Sequence, residues 1–288
     1  QRQMCIRDRF KPGCHLQTWR EYNHRGIHQY AEFQRISNGL SGYTHFWELW
    51  KSLLSLTFRL LIMAALLASL APVFIILFYI WFRDKYDREP LGMLIKALLV
   101  GILIVVPVIF VERMLMGFMP QAGKVAEAAY HAFVVAGFTE ELFKFLGLYI
   151  LVWRSPSFNE QFDGIVYAVF VSLGFAGVEN VLYVMDGGMQ TALTRAITAV
   201  PAHAIFGIAM GYSLGIAHRY KELRSRFLAR ALFIPILLHG IYDFILMVEI
   251  NWLLVLFIPY VIWLYILGMK KMKRLSEASI FKPVEEEE

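Results

Sequence analysis

Residues 63–82 read MAALLASLAPVFIILFYIWF, 20 consecutive residues without a charge. At about 1.5 Å of rise per residue, a helix of that length crosses the roughly 30 Å hydrocarbon core of a bilayer. The stretch is read as a membrane crossing, and six more follow it. Apolar segments run at about 94–116, 128–153, 162–185, 191–217, 231–249 and 252–269, joined by connectors too short for a soluble domain. The expected fold class is all-α, a multi-pass membrane helix bundle of about seven transmembrane helices.

Composition agrees. Of 288 residues, 58% are hydrophobic and 18% charged, against about 45–50% and 25% in soluble domains. A soluble enzyme is excluded on that ground. The net charge of +5 does not point to nucleic acid, because the basic residues lie between apolar runs and form no stripe interleaved with stacking aromatics. They report topology instead. Connectors 83–93, 154–161 and 218–230, with the segment after 269, carry 14 Lys and Arg, whereas the opposite side has Lys124 and Arg195. The positive-inside rule then puts the first side and the C-terminus in the cytoplasm, so the expected location is the inner (cytoplasmic) membrane of a cell, with the lipid bilayer as a partner. Cys5 and Cys14 both precede the first crossing and build no disulfide framework or metal knuckle.

Upstream of the first crossing the chain is polar and aromatic, with Gly13, Gly26, Gly39 and Gly42 interrupting any helical period. Gln1 to Asp8 resembles an in-frame translation of a sequencing adaptor and is expected to be foreign to the natural protein. Residues 1–59 place nine Lys and Arg on the side the charge rule makes exterior. We therefore expect an N-terminal extension over 1–62 that is dispensable, a membrane-embedded core over 63–274 and an acidic cytoplasmic tail over 275–288.

Charged groups at membrane depth cost at least about 2.5–3.5 kcal/mol each on insertion scales and mark function by default. The third segment carries Glu140, Glu141 and Lys144, with the lysine one helical turn from both carboxylates. Glu179 and Asn180 lie in the fourth, His203 in the fifth, and His239 one turn before Asp243 in the sixth. Such an aspartate can fix the histidine's tautomer and raise its basicity. Counted at about 1.5 Å per residue from the expected outer helix ends, these groups lie roughly 9–18 Å deep. Glutamates and histidines converging in the outer half of the bilayer are the composition of a water-activating site. Two chemistries stay open: zinc held by His203, His239 and Glu179, or water activated by glutamate with histidine stabilising the oxyanion. A proton- or ion-coupled transporter would bury the same residue types, but no inverted halves are visible. A non-catalytic relative that binds membrane proteins is the other alternative.

Together these motifs resemble the PrsW family of intramembrane proteases, in the wider CAAX-protease and bacteriocin-processing superfamily. The residues that carry the resemblance are the acidic loop Asp84 to Pro90, Glu140-Glu141-x-x-Lys144, Phe162-Asp163-Gly164, Gly174-Phe175-Ala176-x-x-Glu179-Asn180, His203-x-x-x-Gly207 and His239-x-x-x-Asp243. Lys144 in place of an arginine at longer spacing, and Glu179 in place of a histidine, favour the PrsW branch over prenyl-protein processing. The resemblance implies an endopeptidase that cuts single-pass membrane proteins, such as an anti-sigma factor, near the outer face. It makes Glu140 the general base supported by Glu141, has His203 and His239 activate water or polarise the scissile carbonyl, and leaves Glu179, Asn180 and Asp243 to complete the polar site. Lys144 becomes the counter-ion. The cofactor is either none or zinc.

Overall fold

The computed structural model describes residues 44–282, and the expectations placed on residues 1–43 lie outside that range. From Met63 onward the chain is one compact unit. Its helices are α1 (Thr44–Arg83), α2 (Leu91–Met116), α3 (Lys124–Tyr130), a π-helical turn (His131–Phe138), α4 (Thr139–Val152), α5 (Gln161–Ile197), α6 (Ala199–Arg219), a 3-10 turn (Lys221–Leu223), α7 (Arg224–Met247) and α8 (Asn251–Glu277). There is no strand among the described residues. Helix α1 starts at Thr44, well inside the stretch to about Arg59 whose composition suggests irregular chain; no Gly or Pro occurs between Gly42 and Pro72, so no breaker interrupts the helix there.

Among the described residues five stretches are long and apolar enough to cross a membrane: 63–83, 91–116, 161–219, 221–247 and 251–277. The other three expected crossings differ in form. The third is divided among α3, the π turn and α4. The fourth and fifth form one helical stretch that folds back at Gly188, whose φ of 71° and ψ of −162° are open to glycine alone among ordinary residues.

Helix α6 is buried all round from Ala199 to Ala217, the signature of a central helix. It packs on α5 through small residues: a Cβ at Gly164, Gly211 or Gly215 would run into the facing helix's backbone. Around this pair stand α2, α7 and α8. A second close approach joins the π turn to α7, where a Cβ at Gly137 would lie 3.2 Å from Gly240 N and one at Gly240 would strike the Phe133 ring. That approach sets the register between the start of α4 and the middle of α7, which is where the ionisable residues are.

A break at Thr198 (φ −119°) separates α6 from the preceding short helical segment, and Pro201 sits in α6's first turn, where its missing N–H leaves no gap. His203 is consequently only four residues into α6, about 6 Å below its N-terminus.

The acidic loop after α1 is folded onto the start of α5. The Glu89 backbone N–H donates to Asp84 Oδ2 at 2.9 Å, the Tyr167 hydroxyl donates to Glu89 Oε2, and the Asn159 side-chain amide donates to Asp87 Oδ2 at 2.9 Å. Asp163 accepts from the Asn159 and Glu160 backbone N–H groups at 2.9 and 2.8 Å, capping α5. Burial pushes the Glu89 carboxyl up to about 7 and that of Asp84 up to about 6. A carboxyl raised by folding favours the folded loop while protonated. Its contribution is full below the ordinary carboxylate range and is lost as pH rises through about 6 to 7. Amide exchange over residues 84–90, corrected for intrinsic rates, is therefore expected to accelerate between about pH 5 and pH 8, and Glu89→Gln to flatten that change; a loop equally protected throughout would refute the assignment.

Candidate active site

Lys144, fully buried on α4, is the hub of the polar cluster. Its Nζ donates to Glu140 Oε2 at 3.0 Å and Glu141 Oε1 at 2.8 Å, and lies 3.1 Å from His203 Nδ1. The ammonium has only donors, so Nδ1 of His203 is the acceptor and the ring's hydrogen sits on Nε2. That nitrogen is 2.8 Å from Glu179 Oε2. On the other side, His239 Nδ1 is 3.0 Å from Glu141 Oε1 and 3.9 Å from Glu140 Oε2, while its Nε2 is 3.3 Å from Asp243 Oδ2. With a carboxylate at each nitrogen, this ring can carry a proton in transit with both N–H groups satisfied.

Aromatic rings fix the members of the cluster. Phe206 stacks on His239 at 4.9 Å, the two imidazoles meet edge to face at 5.2 Å, and Lys144 Nζ lies 4.3 Å over the Phe175 ring. The π-helical turn immediately precedes Glu140; such widenings recur at functional sites because they re-aim the next turn. The two glutamates differ in surroundings. Glu141 is wholly enclosed between Lys144 and His239, whereas Glu140 retains 5% exposure.

All eight residues singled out in the sequence thus join one network spread over α4, α5, α6 and α7. Asn180 enters by donating to the Ser69 carbonyl at 2.7 Å and accepting from Arg195 Nε at 2.8 Å. In the sequence Arg195 reads only as a topology charge just inside the fifth crossing. The fold-back at Gly188 returns it to α5, where its Nη2 is 3.1 Å from Glu179 Oε1 and its guanidinium lies 4.0 Å over Tyr183. A charge just inside an apolar segment is the signal that marks Arg195, but its partner is set by the bend.

Glu140, Glu141, His203 and His239 each offer a ligand atom, and these four atoms lie within 4.8 Å of one another. Glu141 Oε2 is buried with no hydrogen-bond partner. Two imidazoles and two carboxylates suit zinc, so the donors fit a metal ion. Glu179, the carboxylate expected to complete a metal set with the two histidines, is not in this group and faces Arg195 instead. The Lys144 ammonium lies among the same donors, so it and a metal ion compete for those oxygens.

Residues 89–268 match the family model described as PrsW family intramembrane metalloprotease. The chain belongs to the PrsW family. It is similar to Protease PrsW of Clostridioides difficile (strain 630), 40% identical over 220 residues that cover 74% of this chain and 92% of that protein. Protease PrsW of Bacillus subtilis (strain 168) is 35% identical over 221 residues, 76% of this chain and 99% of that one. Protease PrsW of Halalkalibacterium halodurans is 35% identical over 212 residues, 74% and 97%. No solved structure matches the chain. The region matched to the PrsW model contains the whole ionisable cluster, from Glu140 to Asp243.

Proposed function

We propose that this PrsW-family chain is an endopeptidase that hydrolyses a single-pass membrane protein, such as an anti-sigma factor, in the outer half of a bacterial inner membrane. The observation that carries the reading is the enclosed cluster of Glu140, Glu141, Lys144, His203 and His239, brought together from three helices that lie deep in an apolar bundle. About seven crossings with a cytoplasmic C-terminus accord with the charge asymmetry.

The chemistry follows from which groups can move a proton. Glu140, the more accessible carboxylate, takes a proton from water, and the water oxygen bonds to the scissile carbonyl carbon as the carbonyl electron pair moves onto its oxygen. That developing oxyanion needs positive partners, and the Lys144 ammonium and a His239 N–H are the donors in reach of Glu140. The proton on Glu140 then passes to the amide nitrogen as the C–N bond breaks, leaving a carboxylic acid and an amine. Glu141 and Asp243 hold His239 from both sides; Glu179 with Arg195 holds His203. A zinc ion held by Glu140, Glu141, His203 and His239 would add Lewis-acid polarisation and acidify its bound water.

Co-reconstitution with a tagged single-pass reporter in liposomes tests the reading. The wild-type chain is expected to release a soluble reporter fragment; loss of this activity on treatment with a zinc chelator and its return on zinc addition assign the reaction to a metal-assisted site. Cleavage by protein shown to hold less than stoichiometric metal assigns the reaction to the glutamate alone. No cleavage of any single-pass reporter overturns the protease reading.

A further inference from the structure

Far from the buried network, at the end of the bundle that carries most of the connector charges, residues of α6, α7 and α8 line an open cavity of about 590 Å³. Its lining includes Arg219 from the last turn of α6, Arg230 from α7 and Arg274 from the last turn of α8, together with Tyr220 and Gln161. No carboxylate lines it. Among the described residues none of the three guanidiniums is paired with an acidic side chain; nearby Glu277 is engaged by Lys273 at 3.7 Å and Glu160 by the Ser279 hydroxyl at 2.5 Å. Arg230 and Arg274 also stand close enough to Lys271 for their charges to act on it.

Cations are expected on this face for topology alone, but topology asks only that they be there. It does not ask that three arginines line one concavity with no carboxylate among the described residues to offset them. Mutual repulsion disfavours that arrangement unless an anion offsets it, and the planar guanidinium fork matches phosphate oxygens bidentately. The cavity has the size of a small-molecule site, about 300–1,000 Å³. Its position selects the ligand. Arg219 and Arg274 sit at the ends of two helices long and apolar enough to cross a membrane, the level of the lipid headgroups, and α8 beside them presents exposed Ile262, Ile266 and Met269 to which acyl chains can pack.

We propose that this cavity binds the phosphate headgroup of an anionic phospholipid from the adjoining leaflet. The site is independent of the protease reading. The test titrates the detergent-purified full chain with a short-chain phosphatidylglycerol, with the matching phosphatidylcholine and with inorganic phosphate, reading the bound fraction by native mass spectrometry. Two charge-matched variants are compared: R219Q/R230Q/R274Q inside the cavity, and K221Q/R226Q/K270Q, three exposed residues outside its lining. Wild type is expected to prefer phosphatidylglycerol over phosphatidylcholine by at least about tenfold, the cavity variant to lose about that factor, and the surface variant to change less than about threefold. Should the triple cavity variant not fold, R274Q alone, at an exposed helix end, is expected to lose at least about threefold. Equal losses in the two triple variants, or no preference for the anionic lipid, overturn the proposal. Inorganic phosphate binding as tightly as phosphatidylglycerol also overturns it, in favour of a soluble phosphate ligand.

Discussion

Glu140→Gln is expected to lower cleavage by about 10²–10⁴-fold while leaving the chain folded, because glutamine keeps the side chain's shape and can still accept from Lys144 but cannot take a proton from water. His239→Ala is expected to fall as far, since it removes the ring between Glu141 and Asp243 and with it a donor for the oxyanion. The two groups serve one transition state, so the double variant should be little worse than the poorer single one. Glu141→Gln provides the contrast. Glu141 is enclosed against Lys144 and His239 at 2.8 and 3.0 Å, so its loss should lower thermal stability as well as rate. The measurement is fragment release by reconstituted protein, alongside a melting curve for each variant. If Glu140→Gln cleaves at the wild-type rate, Glu140 is not the base; if the single losses multiply, the two groups do not act in one step.

These residues are conspicuous in the amino-acid sequence itself, and the reason is energetic. A carboxylate, a histidine or a lysine inside an apolar segment is costly unless something compensates it. Glu140, Glu141, Lys144, Glu179, His203 and His239 stand out on that criterion, and their partners turn out to be one another. The helical nature of the apolar segments is equally legible, since a backbone in hydrocarbon must satisfy its own hydrogen bonds. The bend at Gly188 and the break at Thr198 are not. Gly187 and Gly188 read as an ordinary connector, and only tertiary packing decides that the chain folds back to bring Arg195 onto Glu179 and Asn180. The π-helical turn is hidden for a similar reason: nothing in His131 to Phe138 distinguishes it from α-helix, and the close approach of Gly137 to Gly240 is a property of two helices together. The helical start at Thr44 escapes a reading that weights the upstream glycines above the Gly- and Pro-free run after Gly42.

Lys144→Met is expected to be the most destabilising single change in the site, by about 3–5 kcal/mol, because it strips the counter-charge from two buried carboxylates that stay side by side. Lys144→Arg should cost less: the charge is kept, although a planar fork cannot reproduce the three contacts, at 2.8 to 3.1 Å, made by one compact ammonium. The same pair of variants separates the two cations that the cluster can accept. A metal ion on Glu140, Glu141, His203 and His239 would take over the neutralisation that Lys144 provides. Zinc should therefore raise the melting temperature of Lys144→Met more than that of wild type, since a ligand bound only by the folded state stabilises it by mass action, and in the variant it has no ammonium to displace. Lys144→Arg should respond like wild type. A melting temperature of Lys144→Met that matches wild type and ignores zinc would mean that the two glutamates need no counter-charge, and the lysine would then lose its place as hub of the site.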